Sequence, residues 1–260
     1  MGTLAPRRTG PPRPPPTPEQ ILALAKKECV PARIAKGELD GKMKARIWRK
    51  LHSVEAKRFD QAYALMGKTP GLELPDAFGL LQSGLPLEEF QARRARADKK
   101  KSVKTARATV DGALVAALLE GMRERREELA VVLGERTVLD FLLETRPVAF
   151  QFEKAGRVEK LQVVLMLKRS AWEVISKALE RDSGLAQKPA PVAREPERRP
   201  FSDPRTFLPS VGHQVRLTLR NGVLLSAPLT AVGPFDLILK VEGAEVFIPI
   251  HAVFAWEQLP

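Results

Sequence analysis

One cysteine, one tyrosine and three histidines in 260 residues leave this chain short of the groups that most often carry chemistry. Cys29 on its own excludes an intramolecular disulfide and a cysteine-based metal site, which points to a reducing compartment, the cytoplasm. His52, His213 and His251 lie far apart and fall in no recognised metal-ligand pattern. Glycine-rich phosphate loops, a G-x-S-x-G elbow and paired carboxylates in a catalytic setting are all missing. No apolar run approaches the roughly 18–20 residues that span a bilayer. The N-terminal arginines are followed by no hydrophobic stretch of the kind a secretory signal needs. The expectation is a chain that is not an enzyme, holds no cofactor or metal, and does not enter a membrane.

What is present is positive charge. The net charge is +12, and residues 201–260 contribute four basic and five acidic groups, so the whole excess belongs to the first 200 residues. Such an excess favours an anionic partner, with nucleic acid ahead of acidic protein or lipid. The densest run is Arg93, Arg94, Arg96, Lys99, Lys100, Lys101, Lys104 and Arg107, with Asp98 the one acid among them. A second patch, Lys42 to Arg58, includes Arg46, Arg49 and Lys50, with Trp48 and His52 interleaved. Each run is either a phosphate-tracking surface or a solvated face, and Trp48 is either a base contact or a packing residue.

Proline and periodicity divide the chain. Residues 1–18 carry seven prolines and read as a disordered basic arm. Thr17-Pro18 ahead of Glu19-Gln20 resembles a helix cap, and Pro31 interrupts the helix that follows. Met43, Ile47, Leu51, Val54, Phe59, Tyr63 and Met66 are spaced as a helical stripe. Val110–Leu133 reads as a long amphipathic helix and Thr137–Thr145 as a further helix ended near Pro147. Val148–Phe152 reads as a short strand, and Leu161, Val164, Leu165, Trp172, Ile175 and Leu179 as one helical face. No internal repeat is visible. Residues 185–201, rich in proline and alternating charge, read as a linker. The expected domains are thus a basic helical one over 19–184 and a second over 202–260.

Beyond the linker the period changes from 3.6 to 2. Val215, Leu217 and Leu219 alternate with Arg216, Thr218 and Arg220, and Asn221-Gly222 is a hairpin signal. Four further short strands follow, ending near Trp256. So small a β unit must close on itself or pair its edges with neighbours.

The string VRLTLRNGVLLSAPLTAVGPFDLILKVEGAEVFIPIHAVFAWE resembles the core of an Hfq/Sm-like (LSm) domain. The likeness rests on the strand ending in Asn221-Gly222, Leu225 on the second strand, the Phe-containing third strand, and Ile250-His251-Ala252-Val253. The segment Ser202-Asp203-Pro204 with Phe207-Leu208 is similar to the start of that family's N-terminal helix, shortened. The likeness covers about 202–258 and implies a small five-stranded β-barrel, so the fold class expected is α+β: a mainly helical N-terminal domain plus this barrel. It also implies ring-shaped homo-oligomers, usually hexamers, that bind U-rich RNA on one face and A-rich RNA on the other. Phe235 falls at the family's base-stacking aromatic, and His251 matches its motif histidine if one residue is inserted upstream. The Tyr-Lys positions before that histidine hold Pro249 and Ile250, the uracil-reading glutamine position holds Pro234, and Thr218 stands for the A-rich-face tyrosine. An alternative alignment pairs Phe235-Asp236 with the family's Phe-Asp dipeptide at the cost of three extra residues in a hairpin.

Phe235 is therefore either a stacking platform or a core filler, and His251 either an RNA contact or a satisfied turn histidine. The expected function is RNA binding, as a chaperone or post-transcriptional regulator in a bacterial cytoplasm, with affinity supplied by the first 200 residues and avidity by a ring. The rivals are an oligomeric scaffold whose helical domain binds a protein partner, and a protein whose basic helices bind duplex DNA.

Overall fold

A computed structural model describes residues 14–134 and 136–260. The basic arm expected over 1–18 lies, through residue 13, outside the described residues. The chain divides into two compact units, Met1–Arg93 and Arg94–Pro260. The segment read as a linker, 185–201, lies inside the second. Among the described residues no helix is long and apolar enough to cross a membrane.

The first unit holds helices α1 (Pro18–Glu28), α2 (Ala32–Leu39), α3 (Ala45–Leu51), α4 (Ser53–Lys68) and α5 (Leu74–Ser83). Thr17 and Gln20 form the capping box that starts α1, satisfying two N-terminal amides. Cys29, at φ 50°, closes that helix, and Pro31 precedes the next. The stripe expected over Gly41–Met66 is not a single helix, because the chain breaks at His52 between α3 and α4. That break shifts the phase of the pattern. Ile47 and Leu51 are exposed, whereas Trp48 is 3% exposed and packs with Ala25, Val30, Ile34, Ala35, Ala45 and Ala56. Trp48 is thus a packing residue.

The boundary between the units falls within α6 (Leu87–Thr109), and α7 (Ala113–Glu124) follows it. The next segments correct the helical expectation. Residues expected to finish one helix and form another are strands β1 (Glu128–Leu133) and β2 (Arg136–Thr145). Strands β3 (Ala149–Phe152), β4 (Arg157–Glu159) and β5 (Val163–Lys168) come next, then α8 (Arg169–Ala178). A two-residue β6 (Glu180–Arg181) and α9 (Ser183–Gln187) lead to β7 (Gln214–Leu219), β8 (Val223–Val232), β9 (Asp236–Val241), β10 (Ala244–Pro249) and β11 (Val253–Gln258).

All these strands belong to one 11-stranded antiparallel sheet in the order β11-β7-β8-β9-β10-β5-β1-β2-β3-β4, with β6 on β8. The fold remains α+β, but the closed five-stranded barrel expected over 202–260 is not formed. The last five strands stay open because β10 pairs with β5, opposite Met166, rather than turning back to β11. The sequence misled for a physical reason. β1 and β5 sit mid-sheet with both faces covered, so residues 129–133 and 163–167 are unbroken apolar runs with no alternation to mark them as strands. Ala130 and Val132 enter one core with the C-terminal strands, while Leu129, Val131 and Leu133 enter another with Val115, Leu118, Leu119 and Met122 of α7.

The sheet contains the same five-strand pattern twice. β1–β5 run in the order fifth-first-second-third-fourth, and β7–β11 run in that order again. The registers repeat residue for residue. Leu142↔Phe152, Glu144↔Gln151 and Thr145↔Phe150 recur as Leu229↔Leu239, Ala231↔Ile238 and Val232↔Leu237, with the bulge in the same place. Leu133↔Val163 and Val132↔Leu165 recur as Leu219↔Val253 and Thr218↔Ala255, again across a register shift. Gln151↔Arg157 recurs as Ile238↔Phe247. In each copy the ten-residue second strand gives its first half to one neighbour and its second half to another. Each copy also joins its fourth and fifth strands by a single 3-10 turn, Lys160–Gln162 or Ile250–Ala252.

The Asn221-Gly222 hairpin forms as expected. Gly222 has φ 84°, and a Cβ there would lie 2.7 Å from the Asp182 carbonyl oxygen, so only glycine fits. Buried Asn221 donates through Nδ2 to the Gly134 carbonyl at 3.3 Å, linking the first hairpins of the two copies.

Candidate functional site

The loop between β8 and β9, Gly233-Pro234-Phe235, is held by two backbone hydrogen bonds. The Gly233 amide donates to the Asp236 carbonyl at 2.8 Å, and the Ile250 amide donates to the Phe235 carbonyl at 2.8 Å. The equivalent loop of the first copy, Arg146-Pro147-Val148, has the same pair: Arg146 to Ala149 at 2.9 Å and Lys160 to Val148 at 3.0 Å. Both loops line one cleft of about 360 Å³, together with Lys160, His251, Arg107 of α6, and Arg194 and Arg199 from the Pro-rich segment.

Phe235 is 55% exposed, so it does not fill a core. The Arg107 guanidinium lies 4.6 Å from its ring centroid, a cation–π arrangement. Arg107 is half-buried, its Nε without a hydrogen-bond partner among the described residues, and burial works against its charge. Burial also opposes the charges of Arg199 and Lys160; Arg199 additionally feels Arg107, while Asp236 supports Lys160. Arg199 is fixed in place by donating to the carbonyls of Ala193 and Arg194 at 2.8 and 2.6 Å. Three cations are therefore held close together, which an incoming anion would relieve.

Two further titratable groups share the cleft. Among the described residues no hydrogen bond to the Asp236 side chain is formed, and burial pushes its carboxyl up to about 7, against the pull of Lys160 and Arg107. His251 is held to about 3 by burial and by the positive charges of Arg199 and Arg220, so it is neutral at pH 7. Its Nε2 lies 3.2 Å from the Val163 carbonyl. A carbonyl only accepts, which places the proton on Nε2 and leaves Nδ1 an acceptor. The histidine links the turn after β10 to β5 and also faces the cleft.

A second opening of about 480 Å³ extends from the other side of Phe235 along Lys100, Lys104 and Arg107. Arg96, Lys100, Lys104 and Arg107 recur every three or four residues, so they share one helix face that leads to the aromatic. Arg93, Arg94, Lys99 and Lys101 are also exposed on α6, and Arg94 pairs with Asp98 at 3.8 Å. Arg46 and Lys50 are exposed on α3, in the other unit. Arg49 is committed to structure, donating to both oxygens of Asp60 at 2.8 and 2.9 Å and to the carbonyls of Glu28 and Cys29. A larger cleft, about 770 Å³, lies beside Arg136, Gln162, Ala190 and Arg220, but no aromatic lines it.

Of the residues singled out in the sequence, the structure thus gathers Phe235, His251, Arg107, Lys100 and Lys104. It adds Lys160, which nothing in the sequence marks, Arg199 from the Pro-rich segment read as a linker, and Asp236, touched in the sequence only by the alternative pairing of Phe235-Asp236; Lys160 and Asp236 meet because the two copies of the strand pattern line one cleft. Among the described residues no group of His, Cys, Asp and Glu is placed to hold a metal ion. Comparison with known protein families, with curated proteins and with solved structures finds no match to the chain.

Proposed function

We propose that this protein binds single-stranded RNA at the Phe235 cleft, as an RNA-binding protein of the Hfq/Sm-like type acting as a chaperone or post-transcriptional regulator in a bacterial cytoplasm, and that it does so as a homo-oligomer. The observation that carries the reading is the exposed Phe235 ring beneath Arg107, flanked by Lys160 and Arg199 and continuous with the basic face of α6. An unstacked base lies on the aromatic, the following phosphates meet the cations, and the backbone tracks along Lys104 and Lys100. The pieces differ from those of the family it resembles. The charge comes from α6 and the Pro-rich segment rather than from the positions now held by Pro249 and Ile250.

Filter binding of short U-rich and A-rich single strands across a salt series tests this. Expected are retention at low salt, a steep fall as salt rises, and a loss of about ten- to a hundredfold in affinity for Phe235→Ala, since stacking contributes roughly 1–3 kcal/mol per base. No retention at low salt overturns the reading. Equal competition by duplex DNA replaces it with duplex binding by the basic helix. A second reading, an oligomeric scaffold with a protein partner, is favoured by one observation: Met43, Ile47, Leu51 and Val54 of the first unit are 45–74% exposed. It predicts that substituting these four with polar residues abolishes partner capture and leaves RNA retention untouched.

A further inference from the structure

We infer that a single strand of RNA lying on Phe235 continues past Arg194 into the larger cleft, where Arg136, Arg194 and Arg220 take its phosphates. The ligand rests on the reading above; what is added is a second stretch of its site. Three openings adjoin one another along this unit. Arg107, Pro196 and Phe235 line both the opening beside α6 and the Phe235 cleft. Glu159, Leu161 and Arg194 line both the Phe235 cleft and the cleft of about 770 Å³. A strand on Phe235 therefore has two ways onward, one along Lys104 and Lys100 and the other past Arg194.

The larger cleft has the chemistry of a phosphate seat. Three arginines line it against one carboxylate, Glu159, and among the described residues none of the three is in an ion pair. Arg220 is set in place by donating through Nη2 to the carbonyls of Leu161 and Gln162 at 3.1 and 2.7 Å. Its Nε is buried without a hydrogen-bond partner among the described residues, and burial works against its charge. Carbonyls satisfy N–H groups but leave the charge uncompensated, which a phosphate corrects. Arg136 and Arg194 are exposed and open to a ligand. With no aromatic in the lining, bases find no platform there, so this stretch holds the backbone and reads no sequence. The Pro-rich segment makes the route a built one. The Ala190 amide donates to the Arg220 carbonyl at 2.8 Å, Ser202 Oγ donates to the Pro196 carbonyl at 2.6 Å, and Arg199 holds the carbonyls of Ala193 and Arg194. Pro189–Val192 are thus fixed on the larger cleft and Pro196 and Arg199 on the smaller, with Arg194 common to both. A wall already ordered loses little entropy when a ligand arrives.

Filter binding of U-rich single strands of increasing length, from about 4 to about 16 nucleotides, tests this on the full chain. Arg136 is the residue to change, because it is exposed and lines the larger cleft but not the Phe235 cleft. In the parent, affinity is expected to climb with length and then level off. Arg136→Glu should leave the shortest retained strand unaffected and weaken the longest by about tenfold, since a phosphate contact is replaced by a like charge. Arg136→Ala should lower the slope of log affinity against log salt by about 0.7 on the longest strand only, the value of one phosphate contact. Glu159→Gln removes the carboxylate where the two clefts meet and is expected to strengthen binding of the longest strand severalfold, a gain that a damaged fold does not imitate. Arg136→Glu binding like the parent at every length overturns the inference and keeps the Phe235 cleft. So does an equal loss at every length, which places Arg136 outside a second stretch, and so does Glu159→Gln without a gain. No retention of any strand by the parent overturns both this route and the reading it rests on.

Discussion

The two copies of the strand pattern share registers, bulges and loop hydrogen bonds, and differ at the positions that line the cleft. Where the second copy has Phe235, Asp236 and His251, the first has Val148, Ala149 and Leu161; where the first has Lys160, the second has Ile250. The backbone is thus indifferent to what its loops carry, and the chemistry is divided between the copies: aromatic, carboxyl and imidazole from one, ammonium from the other. Fold and site are separable here, because loop side chains are free to vary on a fixed ladder.

That comparison is broken most severely at the internal joint. Phe247 is 1% exposed and stacks edge-on against Phe150 with centroids 5.8 Å apart, whereas its counterpart Arg157 is exposed at the sheet's end. Phe247→Ala is expected to cost about 3–5 kcal/mol. Arg157→Ala should change stability by no more than about 0.5 kcal/mol. Urea titrations of the two variants against the parent measure this, and equal losses would mean that the copies are not joined through β10.

The next effect sharpens the difference between the loops. Phe235→Ala is expected to lower RNA affinity by about ten- to a hundredfold, from the roughly 1–3 kcal/mol of a stacked base. Val148→Ala, at the equivalent loop position, should change it little. Val148→Phe places a second ring on the same cleft and is expected to raise affinity, and binding isotherms of the three variants decide the matter.

The same contrast explains what the sequence could reveal. β7 through β11 were legible because β7 and β11 lie at one end of the sheet with one face wet, so Val215, Leu217 and Leu219 alternate with polar residues. Their counterparts Leu129, Val131 and Leu133 are separated by Ala130 and Val132, which are buried too, and the alternation that would have marked β1 is gone. A repeat whose ladders match so closely went unseen because a register constrains backbone hydrogen bonds and burial, not residue identity: Phe150 answers to Leu237, and Val158 to Ile248. Of the cleft, Phe235 and His251 were visible through a family resemblance and Arg107 through a charge run. Asp236 was touched only by the alternative pairing of Phe235-Asp236, and Lys160 carries no local signal, since its role depends on a neighbour supplied by the other copy.

A smaller effect concerns the source of the positive field. Lys100 and Lys104 extend the cleft on the Phe235 side, and among the described residues no basic helix lines it on the Val148 side. Replacing both with alanine is expected to reduce the slope of log affinity against log salt by about 1.4, at about 0.7 per phosphate contact for a single strand. Replacing Arg46 and Lys50, in the other unit, should leave the slope unchanged if α6 carries the contact. Salt titrations of the two double variants make the comparison.

The effect smallest in the parent is one that two groups of the second copy conceal from each other, and that the first copy lacks altogether. Asp236 is raised from 3.8 to about 7, so between those values the folded state keeps a proton that the unfolded state releases. Its contribution to stability therefore falls as pH rises through that window and is level above it. His251 is lowered from 6.5 to about 3, so across that range the unfolded state takes up a proton that the folded state refuses. Its contribution falls as pH drops through that window. The windows overlap from 3.8 to 6.5 with opposite slopes, and there the two offset each other. Substituting toward the first copy unmasks them. Relative to the parent, His251→Leu should gain stability on acidification from 7 towards 4, and Asp236→Asn should lose it below 6.5. Difference curves of the same sign for both variants, in chemical denaturation at stepped pH, would rule out this pairing. Binding gives an independent reading of the carboxyl: its negative charge above 7 repels phosphate, so RNA affinity should strengthen from pH 8 to 6 in the parent and be flat in Asp236→Asn.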